Sequence, residues 1–249
     1  MIVYQGYYLQ IGAGKNMNIC VIHGSNRKGN TDKTIDIIKE QLNSFEEIKY
    51  FDIYLPKDLP RFCEGCFACM STGDYAGQNC PNKQFTHPIM EKLLISDGII
   101  VACPCYALAE TGQIKAFFDH FACAFIIHRP NEEMFDKTAF VVSTAAGAGT
   151  GRVVSTISRN LLFWGIKRIV KCKFNIRTDR WENMQEQRRL KFEAQLKRKA
   201  NRFYKLTKNR YKISKSLSVE VLRILFKPLI RSYPDTNPDK VYWKSKGWL

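Results

Sequence analysis

The chain has 249 residues, of which 45% are hydrophobic and 25% are charged. This length and composition are typical of a globular α/β domain with an extension. No apolar run reaches about 18 residues, which argues against a membrane-spanning protein. We find no secretory signal, since the N-terminus lacks a basic segment followed by an apolar core. Nine cysteines without such a signal indicate a reducing compartment, and we expect a cytoplasmic protein.

The net charge of +16 is unevenly distributed along the chain. Residues 1–151 contain 13 Lys and Arg against 16 Asp and Glu, whereas residues 152–249 contain 26 against 7. The basic part is compatible with nucleic acid, an anionic membrane or an acidic partner as a ligand, and also with a solvated face, which is the commoner case. The charge therefore says little about the first part of the chain.

Residues 1–16 predict an N-terminal extension, because the first clear strand begins only at Met17. Strands and helices alternate after it, and a cysteine-rich loop covers 55–85. Such alternation favours a parallel sheet with both faces covered, over residues 17–180. The predicted strands cover 18–23, 47–54, 98–103, 138–143 and 167–175, and the predicted helices cover 31–43, 87–95, 112–126 and 151–164.

A turn rich in small and polar residues, Gly24–Thr31, separates the first strand from the first helix. Unpaired backbone N–H groups at a helix start attract an anion, so this geometry suits a phosphate. Ser25, Asn30 and Thr31 add neutral donors and Arg27 adds a charged one. A Walker A loop is excluded at Gly14-Lys15 because Asn16 stands where that motif needs Ser or Thr.

Two further loops follow strand ends, at 103–112 and 144–151. In parallel sheets, ligands bind beyond the carboxyl ends of the strands. Both loops contain small residues and little charge, which lets backbone approach a flat ring closely. The first turn lacks the GxGxxG pattern of dinucleotide sites, so a mononucleotide with a planar head fits better.

These motifs resemble the flavodoxin-like NADPH-dependent FMN reductase family over about residues 17–175. The resemblance is carried by Gly24–Thr31, by the run at 96–100, by Pro104-Cys105-Tyr106 and by the run at 111–119. It implies a flavodoxin-like, doubly wound, five-stranded parallel sheet of order 2-1-3-4-5. It also implies FMN as cofactor, NAD(P)H as substrate and a homodimer or higher homo-oligomer.

The resemblance also implies roles for individual residues. Four would bind the FMN phosphate, namely Ser25, Arg27, Asn30 and Thr31. Two sets would border the flavin ring: Pro104, Cys105, Tyr106, Ala107 and Leu108 on one side, and Thr144, Ala145, Gly147 and Gly149 on the other. It implies no certain catalytic side chain, because the chemistry is centred on the flavin.

The cysteine cluster Cys63-x2-Cys66-x2-Cys69-x10-Cys80 resembles the iron–sulfur flavoprotein branch of that family. Compact thiolate spacing of this kind suits a [4Fe–4S] cluster. The gap of ten residues is longer than the branch's usual spacing. A loop of buried thiols stays open as the alternative, and zinc is less favoured because structural zinc sites usually use two separated pairs.

Residues 181–249 predict a helical basic C-terminal extension, with helical spacing from Trp181 to Phe203 and an apolar stretch at 217–230. We expect it to pack on the flavin domain or on a second subunit. A peripheral membrane helix is the alternative. Nucleic-acid binding is disfavoured because no recognised motif accompanies the charge.

The resemblance implies an FMN-dependent NAD(P)H oxidoreductase that passes electrons to a small-molecule or protein acceptor. Two alternatives stay open at this point. One is an electron-transfer flavoprotein, with or without a [4Fe–4S] cluster, that has no NAD(P)H reaction of its own. The other is a basic binding module without a cofactor.

Overall fold

The computed structural model describes residues 16–71, 79–166, 168–212 and 217–249. Most of the predicted N-terminal extension and part of the cysteine loop, 72–78, lie outside the described residues. Five strands form one parallel sheet in the order β2-β1-β3-β4-β5, which confirms the predicted flavodoxin-like topology. The strands are β1 (Met17–His23), β2 (Ile48–Tyr54), β3 (Gly98–Pro104), β4 (Thr138–Ala145) and β5 (Arg168–Asn175).

Helices follow the strands as the alternating pattern predicts. They are α1 (Asn30–Asn43), α2 (Ala68–Ser71), α3 (Lys83–Ile95), α4 (Gly112–His120), α5 (Thr150–Phe163), α6 (Glu186–Lys208), α7 (Leu217–Ser232) and α8 (Pro238–Ser245).

The structure differs from the predicted helices in two places. Helix α3 begins four residues earlier than predicted and contains Pro88. Helix α4 ends at His120 rather than near residue 126. There the chain leaves the helix because Phe121 packs on Trp164 (ring centroids 6.1 Å apart) and the Ile126 N–H donates to the carbonyl of Phe163 (2.7 Å).

The sheet is buried on both faces, as the continuous apolar runs of its central strands predict. Helices α3, α4 and α5 cover one face, where Leu93, Phe117 and Ile157 are fully buried. Helices α1 and α6 cover the other, where Ile38 and Phe203 are fully buried. Three buried thiols also lie in these layers: Cys20, Cys103 and Cys172.

The segment predicted as one extension, 181–249, divides into two parts in the structure. Helix α6 packs on α1 and on the sheet, so it completes the second helical layer. Helices α7 and α8 form a separate small cluster around Ile230, Trp243 and Trp248. Among the described residues, no helix is long and apolar enough to cross a bilayer.

Candidate functional site

Three loops at the carboxyl edge of the sheet line a cleft of about 250 Å³. It lies where β1, β3 and β4 end, as expected for ligands of doubly wound sheets. Nine of the thirteen predicted binding residues line it: Ser25, Arg27, Asn30, Thr31, Pro104, Cys105, Tyr106, Thr144 and Ala145.

The N-terminus of α1 opens into this cleft. Gly29 precedes the helix in an extended conformation, and no side chain makes a capping hydrogen bond there. Lys28 pairs with Asp32 at 3.2 Å, whereas Arg27 makes no ion pair with any residue in the described part of the chain. The helix start therefore offers unpaired N–H groups and one unpaired guanidinium to an anion.

The turn after β1 is held tightly against the sheet. The Gly24 N–H donates to the carbonyl of Ala102, and the Thr111 hydroxyl donates to the carbonyl of Gly24, both at 2.8 Å. A Cβ at Gly24 would lie 2.8 Å from the Ile114 side chain and 3.1 Å from the Ala102 carbonyl oxygen. Only glycine fits this position, so the direction of the turn Gly24–Thr31, the predicted phosphate loop, is fixed.

Hydrogen bonds join the first loop to the other two. The Thr31 and Thr144 hydroxyl oxygens lie 2.6 Å apart, and the Ser25 hydroxyl lies 3.4 Å from the Tyr106 hydroxyl. Tyr106 is 45% exposed and faces the phosphate loop, which favours a place beside a ligand over packing on a helix. The three loops therefore form one site.

Four predicted binding residues do not line the cleft: Ala107, Leu108, Gly147 and Gly149. Ala107 and Leu108 have positive φ angles of 48° and 64° within a tight turn closed by hydrogen bonds between Tyr106 and Ala109. This backbone carries both residues out of the cleft wall. At Gly149, a Cβ would lie 2.5 Å from the Cys105 sulfur and 2.9 Å from the Leu108 Cα, so this glycine lets two loops touch.

Replacing Gly149 by Ala is expected to separate the loops after β3 and β4. Its φ of +97° disfavours any L side chain, and the Cβ contacts above leave no room. We expect a loss of about 1–3 kcal/mol in the free energy of unfolding, measured in urea, together with weaker ligand retention. Gly147→Ala is the matched control, because a Cβ there meets nothing within 4 Å. Equal effects of the two substitutions would contradict this role for Gly149.

Cys103 and Cys105 contact different parts of the site. Burial raises the pKa of Cys103 to about 12, and this thiol lies 3.9 Å from the Thr111 hydroxyl. Burial also raises the pKa of Cys105, whose thiol donates to the carbonyl of Ala148 at 3.3 Å. Both sulfurs stay protonated at neutral pH, which favours packing over a redox pair or a metal site.

His23 forms the buried floor of the cleft, where it has a structural role. Its Nε2 lies 2.7 Å from the Asp52 carboxylate, its Nδ1 lies 3.5 Å from that of Asp32, and its ring stacks on Tyr54. Burial alone would raise the pKa of Asp52, but hydrogen bonds from His23 and Lys39 outweigh it and lower that pKa. Asp52 therefore stays ionised and holds the imidazole in place.

The loop after β5 also reaches the cleft, which sequence reasoning missed. Asp179 lines the cleft, and its carbonyl accepts a hydrogen bond from the Asn30 side chain at 3.1 Å. The signal was present, because this loop also follows the carboxyl end of a parallel strand. Asn30 is thus oriented by the loop after β5.

The predicted cluster cysteines lie on the loop between β2 and α3. Cys63 and Cys66 are exposed, and Cys69 and Cys80 are half-buried. Burial raises the pKa of Cys80, while the hydrogen bond that its sulfur accepts from the Asn82 N–H at 3.4 Å acts in the opposite direction. Among the described residues, no group of three or more His, Cys, Asp or Glu is arranged to hold a metal ion. The donor set suits an iron–sulfur cluster, but the cluster stays a prediction.

Comparison with known proteins agrees with this geometry. The sequence model of the NADPH-dependent FMN reductase family matches residues 17–179. An iron–sulfur flavoprotein of Archaeoglobus fulgidus is 31% identical over 150 residues, which are 58% of this chain and 62% of that protein. An iron–sulfur flavoprotein of Methanosarcina thermophila is 30% identical over 141 residues, 55% of this chain and 67% of that protein. The match therefore spans less than two thirds of the Archaeoglobus protein.

Solved structures show the same fold at low sequence identity. An NAD(P)H:quinone oxidoreductase from Methanothermobacter marburgensis superimposes with a TM-score of 0.58 at 16% identity, covering 75% of this chain and 96% of that one. RosB, solved with bound 8-demethyl-8-formylriboflavin-5'-phosphate, gives a TM-score of 0.60 at 13% identity, covering 85% and 87%. The fold, the site geometry and a family match over more than half the sequence confirm the predicted family: this chain belongs to the NADPH-dependent FMN reductase family and is related to the iron–sulfur flavoproteins.

Proposed function

We propose that the protein is an FMN-dependent oxidoreductase that takes hydride from NAD(P)H and passes electrons to an acceptor. The observation that carries the proposal is the cleft itself. It joins a helix N-terminus without a side-chain cap, beside Arg27, which has no ion pair within the described residues, to small, weakly polar loops at two neighbouring strand ends. A phosphate and a flat ring need these two surfaces within one site.

Different residues of the cleft would contact the two ends of the cofactor. Arg27, Asn30 and Thr31 bind the phosphate, while Pro104 and Ala145 face the ring across the strand ends. When bound, FMN supplies the hydride and electron transfer chemistry. Backbone N–H groups of loop 144–151 would donate to the ring's polar edge, and no protein acid or base would be required.

An anaerobic absorbance spectrum followed by NADPH titration tests this function. We expect a yellow protein whose flavin band bleaches as NADPH is added, because hydride transfer reduces the bound flavin. Bleaching only by dithionite or reduced ferredoxin would contradict the NAD(P)H reaction. A colourless protein that FMN fails to reconstitute would instead favour the basic binding module.

The second candidate is an electron-transfer flavoprotein with a [4Fe–4S] cluster and no NAD(P)H reaction of its own. It is supported by the compact sequence spacing of Cys63, Cys66, Cys69 and Cys80, and by the relatives named iron–sulfur flavoproteins. Iron and sulfide analysis of anaerobically purified protein tests it. Absence of both elements would remove this candidate.

We also propose a cytoplasmic homo-oligomer. Helix α7 carries an exposed apolar stripe of Val221, Ile224, Leu225 and Leu229, a pattern that usually marks a contact surface. A monomeric molar mass by light scattering, together with binding to anionic vesicles, would favour the peripheral membrane contact instead.

A further inference from the structure

Arg129 is a fully buried arginine that links two distant parts of the chain. Its guanidinium pairs with the carboxylate of Asp239 in α8 and donates a hydrogen bond to the carbonyl of Cys69 in α2. A buried guanidinium requires such partners, because an unpaired charge in the protein interior is strongly destabilising. The arginine therefore depends on both contacts.

Helix α8 places Asp239 beside Arg129. The Asn237 side chain caps the helix by accepting from the Asp239 N–H at 2.9 Å. The Asp239 carboxylate lies 2.8 Å from Nδ1 of His128, and the Trp243 indole donates to the carbonyl of His128 at 2.9 Å. Helix α8 therefore also contacts His128, the residue directly before Arg129.

The cysteine loop needs support from outside. Helix α2 has only four residues, so its own hydrogen bonds contribute little to its stability. Side chains from beyond the loop contact the described part of its backbone: His120 Nε2 lies 2.9 Å from the carbonyl of Arg61, and Arg129 donates to the carbonyl of Cys69. Arg129 holds a residue of the four-thiol set itself.

We propose that Arg129 is a positioning residue for the cysteine loop and that α8 docks to hold it there. The inference deepens the second candidate function, but the contact exists whether or not a cluster binds. The C-terminal part of the chain then acts on the four-thiol set Cys63, Cys66, Cys69 and Cys80. Asp239 and Cys69 bind different nitrogens of the Arg129 guanidinium. Removing the negative charge of Asp239 should therefore weaken the hold of Arg129 on Cys69 and loosen the loop.

Alkylation of the full-length apoprotein tests the proposal, with the rate at each cysteine read by mass spectrometry. In Asp239→Asn we expect Cys69 to react about tenfold faster, as for the loss of one charge-assisted hydrogen bond. The rate at Cys105, in the cleft, should stay unchanged and serves as the internal reference. Asp235→Asn is the matched control, since that carboxylate is exposed and pairs only with Lys240 and Lys244 among the described residues.

Arg129→Lys separates the two contacts. It keeps a positive charge for Asp239 but lacks the second arm that reaches Cys69, so Cys69 should react faster while Trp243 fluorescence is unchanged. An unchanged Cys69 rate in Asp239→Asn, or equal rises at Cys69 and Cys105, would overturn the proposal. The alkylation rates depend on neither flavin nor iron. They therefore test this proposal even if the protein binds no FMN and no cluster.

Discussion

A chain truncated after residue 185 is expected to lose its fold, although it keeps all five strands and the whole segment matched by the family. The truncation removes α6, which covers one face of the sheet beside α1. Leu196, Ala200 and Phe203 are fully buried there, and the Phe203 ring lies 5.9 Å from that of Phe140. Without α6 the apolar residues of β4 and β5 would face water on that side.

The size of this effect follows from the buried side chains. Truncating one buried Leu or Phe to Ala costs about 2–5 kcal/mol, and a whole domain is stable by only about 5–15 kcal/mol. Removing the helix deletes several such side chains at once, so the loss of stability exceeds the total free energy of unfolding of the domain. Far-UV circular dichroism and urea titration of the truncated chain should show no cooperative unfolding transition.

Truncation after residue 212 is the matched control, because it keeps α6 and removes α7 and α8. We expect this chain to retain a cooperative transition, with a free energy of unfolding lower by about 3–5 kcal/mol because buried Arg129 loses Asp239. A chain ending at 185 that unfolds with the midpoint of the 212 chain would contradict the role assigned to α6.

The sheet was predictable from the sequence because its signals are local. Runs such as Ile99–Ala102 and Ala139–Val142 are apolar at every position, and only a strand buried on both faces needs that pattern. The turn Gly24–Thr31 between β1 and α1 was predictable for the same reason, since a glycine-containing turn before a helix is a contiguous motif. Nine predicted residues line the cleft because all three loops follow strand ends.

What sequence reasoning missed depends on contacts between distant residues. The basic amphipathic pattern of α6 was visible, but the surface it covers is defined only by the assembled sheet. Asp239 and Arg129 are 110 positions apart, and no periodicity connects them. Ala107 and Leu108 do not line the cleft because their positive φ angles turn the backbone away from it. Side-chain type does not reveal such angles for residues other than glycine.

Replacing both Arg27 and Thr31 by Ala is expected to weaken FMN binding by about 100-fold or more while the protein stays folded. A hydrogen bond to a charged group contributes about 1.5–3 kcal/mol and a neutral one about 0.5–1.5 kcal/mol, and tenfold in Kd corresponds to about 1.4 kcal/mol. Arg27 is exposed and Thr31 is half-buried, so their removal leaves the core intact. Flavin content after gel filtration and Kd from flavin fluorescence quenching measure the effect.

Three control variants separate the phosphate contact from other causes. Lys28→Ala removes a neighbouring cation that is already paired with Asp32, so it should leave FMN affinity within about twofold. Arg27→Lys keeps the charge but loses the forked geometry and should fall between wild type and the double variant. Thr31→Ser keeps the hydroxyl that lies 2.6 Å from Thr144 and should bind like wild type. Undiminished flavin in the double variant, or an equal loss in Lys28→Ala, would place the phosphate elsewhere.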